Sequence, residues 1–115
     1  MVRIKIIILL IYIRMVYVQL KKATTQGKKY TAVFYDEERK KIKSTSFGAT
    51  GYQDFTSHGH DAEERKRLYL ERHKSSENWA DYKSAGSLSR YILWNKSTVS
   101  ASFSAYLKTF GLKKY

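Results

Sequence analysis

The fold is decided by residues 15–47, which read MVYVQLKKATTQGKKYTAVFYDEERKKIKSTSF. Apolar Val16, Val18 and Leu20 alternate with more polar neighbours at the start of this stretch. A period of two is typical of a strand with one face buried and one face in water. The pattern therefore predicts a first β-strand that begins near Met15.

Two further strands follow from the same stretch. Residues 30–35 are rich in β-forming side chains, and so are residues 40–47. Residues 24–27 and 36–39 are polar and short enough to be turns. Neighbouring strands joined by short turns pair in sequence order, so we expect a three-stranded antiparallel meander. Phe47, Tyr52 and Phe55 are expected to pin the following loop onto this sheet.

The second half of the chain has helical patterns. Asp61 stands before Ala62-Glu63-Glu64, which predicts an N-cap and a helix through about Lys74. Ser84 or Ser87 can cap a second helix.

The last helix has the clearest pattern. From Val99, apolar residues recur at offsets of 4, 7, 8 and 11, and Gly111 stands where a C-terminal cap belongs. The sequence thus predicts an α+β fold, a three-stranded antiparallel meander followed by about three helices packed on one face. We expect one small domain over residues 15–115, preceded by an apolar arm over residues 1–14.

The charge of the chain indicates its kind of partner. Lys and Arg number 22 against 10 Asp and Glu, a net charge of +12 over 115 residues. A field of this sign draws polyanions to the surface, whether nucleic acid, an acidic protein or lipid headgroups. Exposed Tyr or Trp beside the cations would add stacking on unpaired bases. The residues expected to bind the anionic partner are Lys21, Lys22, Lys28, Lys29, Arg39, Lys40, Lys41, Lys43, Arg65 and Arg72.

The basic residues of the first helix also allow a different interpretation. Glu63, Glu64 and Glu71 share that helix with its Lys and Arg residues, so its surface is either a binding face or an ordinary ion-paired helix face. The lysines around the first hairpin turn have fewer acidic neighbours and are the better candidates.

The apolar arm allows several interpretations. A signal peptide would need a small-residue cleavage site, which residues 14–17 do not provide. A membrane span would need about 20 apolar residues, more than the run from 6 to 13 supplies. A strand that is apolar on both faces needs cover on both, which points to another chain or a membrane surface. Translation that begins at Met15 would remove the arm altogether. The residues of the predicted assembly arm are Ile4, Ile6, Ile7, Ile8, Leu9, Leu10, Ile11 and Ile13.

Catalytic and metal chemistry have little support. His58, His60 and Asp61 lie within four residues of each other, but no recurring metal-ligand spacing accompanies them. No nucleophile elbow and no glycine-rich phosphate loop is present in the sequence. We therefore predict no enzyme activity, no metal and no cofactor.

Several segments resemble a family of small uncharacterised proteins that large DNA viruses of algae and amoebae encode. The resemblance covers roughly Met15 to Leu112 and lies in residues 30–36, 41–43, 47–51, 54–58, 64–66, 72–74, 77–79 and 85–96. It implies a viral origin, and it brings no activity and no catalytic residues. The family has Gly in the turn occupied here by Glu37-Glu38-Arg39, and it starts near Met15, so the arm lies outside the resemblance.

Two functions are consistent with these features. The first is a structural virion component, a minor capsid or capsid-associated protein whose partners are other virion proteins and whose arm also reaches the inner membrane. The second is a nucleic-acid-binding protein that neutralises or organises viral DNA. We prefer the first on sequence, because assembly uses both the charge and the arm.

Deletion of residues 1–14 tests the assembly hypothesis. We expect the truncated chain to fold and to lose incorporation into virus particles, because the arm would supply the contact with a neighbour. Immunoblots of purified particles measure the incorporation. Normal incorporation of the truncated chain would contradict the hypothesis.

Overall fold

The computed structural model describes residues 15–115 and has an α+β fold, as predicted, with four strands and three α-helices. The predicted arm over residues 1–14 lies outside the described residues. The elements in chain order are β1 (Tyr17–Lys22), β2 (Lys28–Tyr35), β3 (Lys41–Ala49), α1 (Ala62–His73), α2 (Ala85–Leu88), a π-helical segment (Ser89–Leu93), α3 (Val99–Phe110) and β4 (Lys113–Lys114).

The sheet is mixed and has the strand order β3-β2-β1-β4. Strands β1, β2 and β3 form the predicted antiparallel meander, with Tyr17 opposite Tyr35 and Tyr30 opposite Phe47. The prediction of a purely antiparallel three-stranded sheet is wrong at one edge, where β4 runs parallel to β1. A strand of two lysines has no alternating pattern, and it forms because Lys113 and Tyr115 donate their backbone N–H groups to Val16 and Val18.

The core lies on one face of this sheet. The strands contribute Val18, Ala32, Phe34 and Phe47, and the helical half covers them with residues such as Ile92. Burial of each of the larger side chains, such as Val18, Phe34 and Phe47, contributes roughly 1.5–3 kcal/mol, so this face supplies most of the driving force for folding. The alternation read from the first strand is therefore confirmed.

Helix α1 begins at Ala62 and ends at His73, close to its predicted bounds, but it lacks the predicted capping hydrogen bond and has a different position. The Asp61 side chain makes no capping hydrogen bond; it accepts from Arg65 Nε at 3.4 Å instead. No residue of α1 belongs to the sheet core. The helix packs through Tyr69 onto Trp94, so the expectation that all three helices lie on the sheet is wrong for α1.

The two later helices differ in regularity. Ser84 caps α2 by accepting from Ser87 N at 3.1 Å, but after four residues the chain continues as the π-helical segment. Helix α3 matches its prediction, and Gly111 ends it with a φ of 65°. Among residues 15–115, no helix has the length and apolar character needed to cross a membrane.

Two glycines with nearly the same backbone conformation test what fixes the end of β3. Gly27 and Gly48 have φ values of 83° and 80°, but an added Cβ meets nothing at Gly27, whereas at Gly48 it would lie 2.7 Å from Leu93 Cδ1. We expect Gly27→Ala to lower the free energy of unfolding by about 1–2 kcal/mol, the cost of the left-handed conformation. Gly48→Ala should lower the free energy of unfolding by about 1–3 kcal/mol more than Gly27→Ala does, because the added Cβ clashes with Leu93. Urea denaturation measures both values, and equal losses would show that the close approach to Leu93 contributes nothing.

Candidate functional site

The predicted anion-binding residues divide into separate groups in the fold. Lys21, Lys22, Lys28 and Lys29 lie around the first hairpin, so the structure brings them to one end of the sheet. Strand β3 starts beside Tyr35, which puts Arg39, Lys40, Lys41 and Lys43 at the opposite end. Arg65 and Arg72 lie on α1. The predicted residues therefore do not form one continuous surface.

Several of these cations are neutralised by acidic neighbours. Helix α1 pairs Arg65 with Asp61, Arg67 with Glu64 and Lys74 with Glu71. The interpretation of α1 as an ion-paired face is confirmed for those three residues. Arg72 and Lys66 of α1 make no ion pair with any residue from 15 to 115. Lys66 Nζ donates to Asn95 O at 3.2 Å, so Arg72 is the more available of the two to a ligand.

In the second basic group, Arg39 is occupied by internal contacts. The Arg39 guanidinium lies 4.4 Å from the ring centroid of Tyr17 and 5.4 Å from that of Tyr115. Tyr115 in turn stacks on Tyr35 at 3.8 Å. These contacts hold the chain after β4 against the sheet, so the aromatic faces at this end are already used.

Two adjoining clefts of about 440 and 490 Å³ form a groove beside α1. Both clefts are lined by Tyr52, Gln53, Arg72 and Trp94. Lys28 and Gly48 border the groove at the hairpin end of the sheet, so the groove meets the first group of predicted lysines. We call this region the aromatic groove.

Four aromatic rings form one wall of the aromatic groove. Tyr69 stacks on Trp94 with centroids 4.7 Å apart and an interplanar angle of 10°. His73 lies 4.5 Å from Tyr69 on one side, and His58 lies 6.0 Å from Trp94 on the other. Burial and the charge of Glu77 raise the pKa of Tyr69 to about 12, so its hydroxyl stays protonated at neutral pH.

The loop that carries Tyr52 is held by an ion pair. Lys29 Nζ lies 2.8 Å from Asp54 Oδ2 and also donates to the Tyr52 carbonyl at 2.6 Å. The other carboxylate oxygen of Asp54 accepts from Thr56 N at 2.8 Å. Phe55 N donates to Leu93 O at 2.9 Å, which joins the loop to the π-helical segment. The aromatic groove is therefore built on a loop with fixed ends.

The side chain of Tyr52 points away from this anchor. Its residue is 75% exposed, so the prediction that Tyr52 pins the loop onto the sheet is wrong. Phe47 is fully buried, and Lys66 Nζ lies 5.2 Å from the ring centroid of Phe55, so those two rings do hold the region together. An exposed ring in the cleft that Lys28 and Arg72 also line offers both a stacking surface and charges that attract phosphate.

Tyr52, Tyr69 and Trp94 line the aromatic groove, and the sequence did not single them out as candidate site residues. They come from three separate segments, and no spacing signal joins them. Within residues 15–115, no group of three or more His, Asp or Glu side chains is placed to hold a metal ion.

Comparison with known proteins gives one match. Residues 18–73 match a family of unknown function (DUF5754). No curated protein and no solved structure matches the chain. The matched segment runs from β1 to the end of α1, so it contains Lys28, Tyr52 and Arg72 but not Trp94.

A double-mutant cycle tests the anchor of the loop. We expect Lys29→Met and Asp54→Asn each to lower the free energy of unfolding by about 2–3 kcal/mol, because each strands a largely buried partner. The double variant should lose less free energy of unfolding than the two single variants lose together, and the difference, the coupling energy of the pair, should be about 1 kcal/mol. Urea denaturation measures all three variants, and Asn is chosen because its amide oxygen still accepts from Thr56.

The control for this cycle is Glu38→Gln. This substitution breaks the ion pair between Glu38 and Lys40, whose side chains are 64% and 75% exposed, respectively. Because the pair is exposed, the free energy of unfolding should fall by no more than about 0.5 kcal/mol. Strictly additive losses at Lys29 and Asp54 would contradict the role of the pair.

Proposed function

We propose that this protein binds single-stranded nucleic acid in the aromatic groove. A base stacks on Tyr52 beside the wall of Tyr69 and Trp94, and Lys28 and Arg72 neutralise the flanking phosphates. The observation that carries the proposal is the exposed Tyr52 ring, which lines the same cleft as Lys28 and Arg72, two cations that make no ion pair with any residue from 15 to 115.

The shape of the groove favours a single strand over a duplex. A duplex buries the faces of its bases against each other, so an aromatic side chain can stack only on unpaired bases. Each cleft has a volume of about 440 or 490 Å³, which suits one or two nucleotides rather than a double helix.

The overall charge supports attraction of the same ligand. Arg3, Lys5 and Arg14 precede the described residues, which leaves 19 of the 22 Lys and Arg and all 10 acidic residues between 15 and 115. The described part of the chain therefore carries a net charge of +9. A field of that sign raises the rate of encounter with a polyanion even where individual cations are paired.

The virion-assembly hypothesis rests on different residues. Its arm, residues 1–14, lies outside the described residues, and the viral origin rests on the resemblance alone. Minor capsid function, capsid partners, inner-membrane contact and location in the virion all stay predictions. Binding of viral single strands is compatible with them, since a protein that organises the genome is packaged with it.

Substitutions in the groove test the proposed function. We expect Tyr52→Ala and Arg72→Ala each to weaken binding of a fluorescent oligothymidine about tenfold, as loss of one stacking contact or one phosphate contact implies. Fluorescence anisotropy measures the dissociation constants over a salt series. Tyr52→Phe keeps the ring and should bind as the parent protein does.

Arg67→Ala is the matched control for Arg72→Ala. It removes the same charge from the same helix, but Arg67 is paired with Glu64 and does not line the groove. Its affinity should change less than threefold, because a paired cation outside the groove contributes only a long-range attraction that salt screens. Equal losses for both Arg variants would mean that net charge alone binds the strand, and no binding by the parent protein would refute the proposal.

A further inference from the structure

Glu77 is a carboxylate on the aromatic groove that the proposed function does not use. It lines the same cleft as Lys28, Tyr69 and Arg72 and is half-buried. Its side chain forms no hydrogen bond or ion pair with any residue from 15 to 115. A half-buried acid next to a site for polyanions repels the phosphates unless it contacts a different part of the ligand.

The carboxylate of Glu77 lies against the start of α2. Its oxygens lie over the backbone of Gly86, in space that the Cβ of any larger residue would occupy. Its charge is close enough to Tyr69 to add to the burial that raises the pKa of that ring. The acid therefore lies beside the aromatic wall, in the cleft that Tyr52 also lines.

A carboxylate accepts hydrogen bonds and donates none, so it selects ligand edges that carry donors. Guanine has two adjacent donors, N1–H and the N2 amino group, which match the two oxygens of one carboxylate. Adenine and cytosine offer one amino group next to an acceptor nitrogen, and thymine offers one N–H between two carbonyls. Exposed base edges of single strands are read in this way.

We infer that the aromatic groove prefers guanine, and that Glu77 selects it by accepting hydrogen bonds from N1–H and the N2 amino group. This inference rests on the proposed function. In the bound strand the guanine base donates hydrogen bonds to the Glu77 carboxylate, which has no donor in the free protein among residues 15–115. Lys28 and Arg72 neutralise the phosphates on either side of that base. The acid is then a specificity residue in a site whose affinity comes from stacking and cations.

A purely structural role for Glu77 is the competing explanation. A carboxylate at the start of α2 is attracted by the partial positive charge of the helix N-terminus. Because α2 has only four residues, its dipole and this attraction are small. That role predicts a loss of stability on substitution and no effect on base preference. The two explanations therefore differ in a measurable quantity other than stability.

The experiment compares oligothymidine of about 12 nucleotides, a typical site size, with the same strand carrying one central guanine. A single guanine avoids the four-stranded structures of guanine runs. We expect the parent protein to bind the guanine strand about tenfold more tightly, the discrimination typical of one bidentate contact. Hypoxanthine in place of guanine lacks the N2 amino group and should lose most of the gain. In contrast, 7-deazaguanine keeps both donors and should retain it.

Glu77→Gln should lose the preference for guanine, so that it binds the two strands with nearly equal affinity. Glu63→Gln removes the same charge from α1 at a residue that does not line the groove, so it should keep the preference. Thermal melts confirm that both variants are folded.

Each result supports or overturns a distinct statement. If the parent protein binds neither strand, the proposed function fails. If it binds both strands equally, the proposed function stands and the guanine inference is wrong. If Glu77→Gln keeps the preference, or if hypoxanthine binds as tightly as guanine, Glu77 does not read the base.

Discussion

The ion pair between Lys29 and Asp54 is the contact on which the aromatic groove depends. Lys29 belongs to β2, and Asp54 belongs to the loop that leaves β3, so the pair fixes a polar loop to the sheet. Asp54 is 4% exposed, and a carboxylate so buried is stable only with a cation and further donors around it. Lys29 and Thr56 supply them, and as a result Tyr52 is held outward.

The cations of this chain differ in availability, and the proposed site rests on that difference. Arg65 and Arg67 share α1 with Arg72, yet Arg65 contacts Asp61 just before the helix and Arg67 contacts Glu64 within it. Arg39 lies against two tyrosine rings at the far end of the sheet. A count of positive charge treats all of these residues alike. A phosphate, in contrast, gains most from cations such as Lys28 and Arg72 that no acid already neutralises.

Most of the fold could be predicted from the sequence because it follows from local patterns. Alternation from Val16 to Leu20 marks a strand with one buried face, and Gly111 ends α3 at the predicted residue. Strand β4 has no such pattern, since its two lysines pair with β1 only because α3 delivers them there. Tyr69 and Trp94 are adjacent only in the folded chain, so periodicity could not place them in one site.

The two halves of the chain contribute different parts of the groove. The segment up to residue 73 supplies Lys28, Tyr52 and Arg72, and this segment is the one that matches the family of unknown function. Residues 77–94 supply Glu77 and Trp94, which lie beyond the match. In the proposed function, the cations and the exposed Tyr52 ring give affinity for any strand, whereas the carboxylate gives a means to distinguish bases. Affinity and base preference would then be properties of largely separate segments, and selection could change one of them without changing the other.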